Sequence, residues 1–258
     1  MNNKLFIALA AIFLSVSVFG QEGHNIDTSC LSQYSQEKKS NESNFHLNLD
    51  FQTKYVWRGM EMMTEESAPV LFPGISYSLE GFYAYFMGGY SINGKYAEVD
   101  MGFSYTFKWL TLGINDYYYP TTDVPYDRYF NFKSAQTGHW LEAVVTVDPD
   151  KVPVYLTVSN FFYGADKNLE GKQAYSTYAE LGGYYDFKDD HRLSLTIGTS
   201  LNKSCYNGYV HDFSICNIEL KYTYNVGIRD FVLPLSVAYI VNPIYEKSFI
   251  DLTASLSF

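Results

Sequence analysis

Beyond its first nineteen residues the chain has no apolar run approaching the roughly eighteen residues that a membrane-crossing helix needs. Charge is also scarce: only 18% of residues are Asp, Glu, Lys or Arg, and basic residues are the minority, 18 against 28 acids. A net charge of −10 excludes the basic surface that nucleic-acid binding requires. There are three cysteines and five histidines, and none of them falls at metal-ligand spacing. Glycine-rich phosphate loops are absent as well. These gaps point away from a nucleotide, metal or other cofactor, and no catalytic residue is assigned.

Aromatic residues are abundant instead, with 25 Tyr and 19 Phe in 258 residues. Tyr and Trp favour membrane–water interfaces, where the ring is apolar and its polar tip stays wet. Composition alone also suits a soluble β-sandwich, so the pattern must decide. From Phe45 to Arg58 apolar and polar residues alternate: Phe45, Leu47, Leu49, Phe51, Tyr55 and Trp57 against His46, Asn48, Asp50, Gln52, Lys54 and Arg58. Period two makes a strand with one apolar and one polar face. The alternation recurs in 96–107, 175–187 and 192–201, and less cleanly in 70–79, 82–91, 110–119, 139–147, 154–163, 213–224, 231–240 and 248–258. The fold class expected is all-β: a closed antiparallel transmembrane β-barrel of about 12 strands. Pro73 and Pro234 fall inside two of those strands, which implies bulges or shorter strands there.

Three regions follow. Residues 1–20 read as a cleavable signal peptide, with Lys4 before an apolar run and Val18-Phe19-Gly20 preceding cleavage at Gln21. Residues 21–44 are polar and aperiodic, a flexible periplasmic tail. Residues 45–258 form the barrel. Its connections sort by parity: Glu80-Gly81, Lys108-Trp109, 148–153, 188–191 and 225–230 are short, whereas 59–68, 120–138, 164–174 and 202–212 are longer. Short periplasmic turns alternating with longer outer loops are the pattern of the Gram-negative outer membrane. Ile250, Leu252, Ala254, Leu256 and Phe258 stand two apart, and a terminal aromatic at Phe258 reads as the signal for the barrel assembly machinery. Outer-membrane lipid and that machinery are therefore the expected partners; oligomeric state is not legible.

Tyr55-Val56-Trp57-Arg58-Gly59, then Ala68-Pro69, Gly81-Phe82-Tyr83 and Glu98-Val99-Asp100, resemble in order the TorF-like porins of bacterial outer membranes. The resemblance covers residues 50–105, and this chain has Met87-Gly88-Gly89 where the family favours Trp-Gly-Ser. It implies an outer-membrane, pore-like barrel, and supplies no established substrate and no catalytic residue.

With apolar faces on lipid, the alternation sends Asp50, Lys54, Arg58, Glu98, Asp100, Glu142, Glu180, Glu219, Lys221 and Asp251 inward, since a Lys or Arg on the lipid face costs about 2–4 kcal/mol at mid-membrane. These residues either sort solutes by charge in an open pore or fill a narrow lumen with ion pairs. Arg58, at the outer end of the first strand, is either a constriction charge or a strut. Cys205 and Cys216 flank one loop and are candidates for a disulfide, although spacing does not fix connectivity. The function expected is a passive porin-like channel with a modest cation preference. The alternatives are a closed barrel with binding or adhesion loops, and a barrel hydrolase acting on lipid or peptide.

Overall fold

The computed structural model describes residues 44–63, 66–120, 128–229 and 231–257. The signal peptide, the tail up to 43 and Phe258, the expected assembly signal, lie outside the described residues. Twelve strands close the wall: β1 (Asn44–Gln52), β4 (Val70–Leu79), β5 (Phe82–Ser91), β6 (Ala97–Phe107), β7 (Leu110–Tyr118), β8 (His139–Val147), β9 (Val154–Gly164), β10 (Thr177–Phe187), β11 (His191–Ser200), β12 (Ser214–Ile228), β13 (Phe231–Asn242) and β14 (Lys247–Ser257). Each is antiparallel to its sequence neighbour, and β1 pairs with β14 to complete the ring. Two further short strands, β2 (Val56–Trp57) and β3 (Met60–Glu61), pair only with each other.

Closure works because the alternation gives each strand one face for each environment. Leu181 and Tyr185 of β10 are exposed outward while Tyr178 and Glu180 are buried inward. On β6, Phe103, Tyr105 and Phe107 point out and Glu98, Asp100 and Ser104 point in. The outward surface is banded. Leu49, Ile75, Ile114, Val158, Leu181 and Leu252 are exposed along its middle, with Tyr105, Phe107, Trp109 and Tyr185 toward the short-turn end and Tyr90, Tyr175 and Tyr239 toward the loop end. An apolar belt between aromatic girdles is what a strand-built wall needs to sit in a bilayer. No helix among the described residues is long and apolar enough to cross a membrane.

The two prolines need no bulge. Register with the neighbouring strands is unchanged across Pro73 and Pro234. Each stands where one ladder is interrupted: the β4–β5 pairs skip from Leu71↔Tyr90 to Gly74↔Met87, and the β13–β14 ladder begins one residue after Pro234, at Leu235↔Ala254. The missing N–H is thus placed where a hydrogen bond is already lost.

The first strand departs from expectation. It ends at Gln52, not Arg58, so Lys54 and Arg58 are not wall residues and Tyr55 and Trp57 do not face lipid. Asp251 turns the chain away. Its Oδ1 accepts from Thr53 Oγ1 at 3.0 Å and from the Lys54 backbone N–H at 2.9 Å, while Thr53 N–H makes a last bond to the Leu252 carbonyl. From there the chain enters the lumen. Residues 55–61 form a hairpin whose two-residue turn, Arg58-Gly59, has positive φ at both positions (50° and 79°), the type I′ geometry that suits right-twisted arms.

Candidate functional site

The hairpin tip docks on the wall at β12 and the end of β13. A Cβ at Gly59 would lie 2.0 Å from the Cys216 carbonyl oxygen, so position 59 requires glycine both for its φ and for this approach. The Gly59 carbonyl accepts from Asn242 Nδ2 at 2.9 Å. The Cys216 carbonyl is presented by a bulge: Gly198 pairs with Asn217 and Thr199 with Ile215, leaving Cys216 as the extra residue. The bulge turns both Cys216 and Asn217 inward.

Arg58 then lies across the lumen. Its Nη1 and Nη2 donate to the two carboxylate oxygens of Glu142 at 2.5 and 3.2 Å, and Nη1 also donates to the Tyr206 hydroxyl. The side chains of Arg58 and Glu142 are 3% and 0% exposed, so this is a buried ion pair in fork geometry. Glu142 is further held by the Tyr117 hydroxyl at 2.9 Å and Asn115 Nδ2 at 3.3 Å. It sits at a second bulge, where Leu141 pairs with Tyr163 and Glu142 with Phe161. Aromatic faces sandwich the guanidinium: its carbon is 4.4 Å from the Trp57 ring centroid and 4.7 Å from that of Tyr178. Tyr178 fits flat because it reaches diagonally over Gly198 on the next strand, where a Cβ would lie 2.0 Å from the Tyr178 hydroxyl.

Tyr206 comes from the loop between β11 and β12, in a short 3-10 turn at Cys205–Asn207 capped by Ser204. Two loops therefore meet inside the barrel. Tyr117, Phe161, Tyr178, Tyr206 and Cys216 form one buried cluster with Trp57 and Met60 packed on it. Tyr55, Met63, Val70 and Phe72 form another around the hairpin's other side. Together these groups occupy the loop end of the lumen.

Of the ten charged residues expected inside, eight divide into three sets. Arg58 and Glu142 form the buried pair. Glu98 and Asp100 are buried beside the hairpin, where Glu98 Oε2 accepts from the Tyr96 hydroxyl at 2.5 Å and lies 3.5 Å from that of Tyr55. Glu180, Glu219, Lys221 and Asp251 line a cavity of about 110 Å³ beneath the hairpin, between Tyr55–Arg58 and the continuous arc of wall from β9 through β14 to β1. Asp50 is buried in β1, and Lys54 pairs with Glu61 and Lys54 Nζ lies 5.6 Å from the Phe249 ring centroid, within the hairpin region. Arg58 therefore faces Glu142 and not the β6 acids. The sequence reading missed Trp57, Asn115, Tyr117, Tyr178 and Tyr206, whose neutral side chains carry no charge pattern.

Cys205 and Cys216 are both free thiols, not a disulfide, and belong to one cluster. Burial pushes the Cys205 thiol up to about 12, so it stays protonated and unreactive at neutral pH. In the folded chain Cys205 and Cys216 are expected to resist a maleimide at about pH 8, whereas denaturation without reductant exposes both thiols to labelling. Peptide mapping reads the outcome; failure to label either one after denaturation means that the two are bridged. Among the described residues, no group of three or more His, Cys, Asp or Glu is placed to hold a metal ion.

No family model and no curated protein matches the chain. Among solved structures, it aligns with KdgM porin at a TM-score of 0.46 and 8% identity, over 84% of this chain and 98% of that one. It aligns with Salmonella typhi OmpF complexed with daunomycin at 0.39 and 9%, over 84% and 98%. A chain solved in work on in-meso crystallization of membrane proteins gives 0.47 and 10%, over 83% of each.

Proposed function

We propose that this chain is a non-enzymatic, porin-like outer-membrane barrel for small solutes, with the inserted hairpin as its constriction. One observation carries the reading: a closed twelve-stranded wall, apolar outside, encloses a polar cavity that ends at the Arg58 hairpin. A wall of twelve strands is wider than the eight that side chains alone fill. The TorF-like resemblance agrees, since its Tyr55–Gly59 motif is the hairpin itself. Cation preference follows from the cavity wall, where Glu180, Glu219 and Asp251 stand against Lys221, and the charge of Arg58 is matched by Glu142. The expected result in planar bilayers is a small conductance with modest cation preference, read from reversal potentials across a salt gradient. Anion preference rejects the charge assignment.

A second reading, a closed barrel with a structural lumen and binding loops, is favoured by the full burial of the Arg58–Glu142 pair and the aromatic clusters around it. Absence of conductance in both the unmodified chain and variants lacking the hairpin selects it.

A further inference from the structure

At its loop end the outer face of the wall carries polar side chains hidden by a strap. Tyr117 and Trp140, opposite each other on β7 and β8, pack on the aromatic cluster in the lumen, so their strand neighbours Asp116, Tyr118 and His139 face outward. His139 is nevertheless fully buried, because the segment 128–137 crosses the outer face over it. Its Nε2 donates to the Tyr129 carbonyl at 2.5 Å, its Nδ1 lies 2.8 Å from Asp116 Oδ2, and its ring stacks on Phe132 with centroids 4.2 Å apart. The Tyr163 hydroxyl, on β9, donates to the Phe132 carbonyl at 2.5 Å. Asn131 closes the segment on itself, donating to the Gln136 carbonyl and accepting from the Lys133 N–H. The strap is thus pinned to the outside of the barrel.

What it presents away from the wall is amphipathic. Phe130 is 89% exposed and Phe132 46%, in line with exposed Arg128 and Lys133. Lys167, from the loop after β9, brings its Nζ to 3.5 Å from Ser134 Oγ of the strap. Lys95, Lys172 and Lys247, at the same end of the barrel, pair with carboxylates at 3.7, 2.9 and 3.8 Å. Among the described residues Arg128, Lys133 and Lys167 have no such partner. Acids of the region are committed elsewhere: Asp116 to His139, and Asp166 to Ser176 and Tyr209. In a chain of net charge −10, three unpaired cations here reverse the sign locally. Exposed rings beside cations, at the rim of a lipid-facing wall, match the depth where acyl chains give way to headgroup phosphates. We infer that the strap is a docking surface for an anionic, phosphate-bearing lipid of the outer leaflet, with acyl chains against Phe130 and Phe132 and phosphates on Arg128, Lys133 and Lys167. This rests on the outer-membrane reading proposed above, but not on conduction.

The test uses the full chain folded in a detergent without phosphate. Bisphosphoryl lipid A, monophosphoryl lipid A and phosphatidylcholine are titrated, and bound lipid is counted by native mass spectrometry. Affinity is expected to fall in that order, because each cation beside an anionic headgroup is worth about fivefold. Arg128→Ser with Lys133→Ser is expected to weaken bisphosphoryl lipid A about tenfold or more. Lys95→Ser with Lys203→Ser removes as much charge from the β5–β6 and β11–β12 connections, and is expected to change binding by no more than about twofold. Excess inorganic phosphate is expected to leave the lipid bound; full displacement assigns the surface to free phosphate and overturns the inference. Equal affinity for the three lipids, or equal losses in the two double variants, overturns it as well. If the strap variant does not fold, the lipid series on the unmodified chain decides. A chain that binds lipid A in this way but never conducts contradicts the channel and leaves the docking surface standing; one that conducts without binding does the reverse.

Discussion

Glu142→Leu is expected to destabilise the docked hairpin by about 3–5 kcal/mol, while Arg58→Met combined with Glu142→Leu restores most of that loss. The asymmetry comes from desolvation. Arg58 is 3% exposed at its side chain, and without Glu142 its charge stays in the barrel with only the Tyr206 hydroxyl and the faces of Trp57 and Tyr178 for company. Removing both charges deletes the cost together with the attraction, and the aromatic clusters keep the apolar packing. Asn115 and Tyr117, which also bond Glu142, lose a partner in either variant, so restoration falls short of complete. Hydrogen exchange of the Met62 amide, which bonds the Tyr55 carbonyl across the hairpin, reads the docking equilibrium directly. Equal losses in the single and double variants would show that the ion pair contributes no coupling.

The larger effect is expected on passage. The hairpin's polar ties to the wall include the Asp251 bonds where the chain leaves β1, the Asn242 bond to the Gly59 carbonyl, Arg58 on Glu142, Tyr55 on Glu98 and Glu61 on Lys247. Gly59→Val removes the tip's fit, because a side chain there meets the Cys216 carbonyl and the φ of 79° disfavours a β-branched residue. The hairpin then leaves the wall, Trp57 and Arg58 leave the lumen, and the polar cavity connects to the loop end. Barrel strands are untouched, since the hairpin pairs with none of them. Conductance should rise several-fold while the β-rich spectrum and heat-modifiable migration persist.

Most of the wall was legible in the sequence because a two-residue period is a local property. The limits expected for β4, β5 and β8 coincide with those observed, and those of β6, β7 and β9 differ by one residue. Loop parity gave the two ends. What escaped was the end of β1. Alternation persists through Thr53, Tyr55 and Trp57, and a period cannot tell a strand that stays in the wall from an arm that turns inward. The available signal was Arg58-Gly59, a weak two-residue turn because arginine rarely takes positive φ. The ion pair was less accessible still: Arg58 and Glu142 are 84 residues apart, and no local pattern joins them. The alternation picked out charges of the wall strands, but it kept Lys54 and Arg58 on a strand that they leave and did not single out Arg192, buried on β11; the division into a buried pair, a buried acid set and a cavity lining depends on where the hairpin lands.

The central claim is that the Arg58 hairpin occupies and narrows the lumen. Single-channel conductance in planar bilayers tests it most directly, comparing the unmodified chain with a variant in which residues 54–66 are replaced by a short Gly-Ser bridge. The expected result is a small conductance in the first and a several-fold larger one in the second, with both folded by circular dichroism. Equal conductance in the two would contradict the claim.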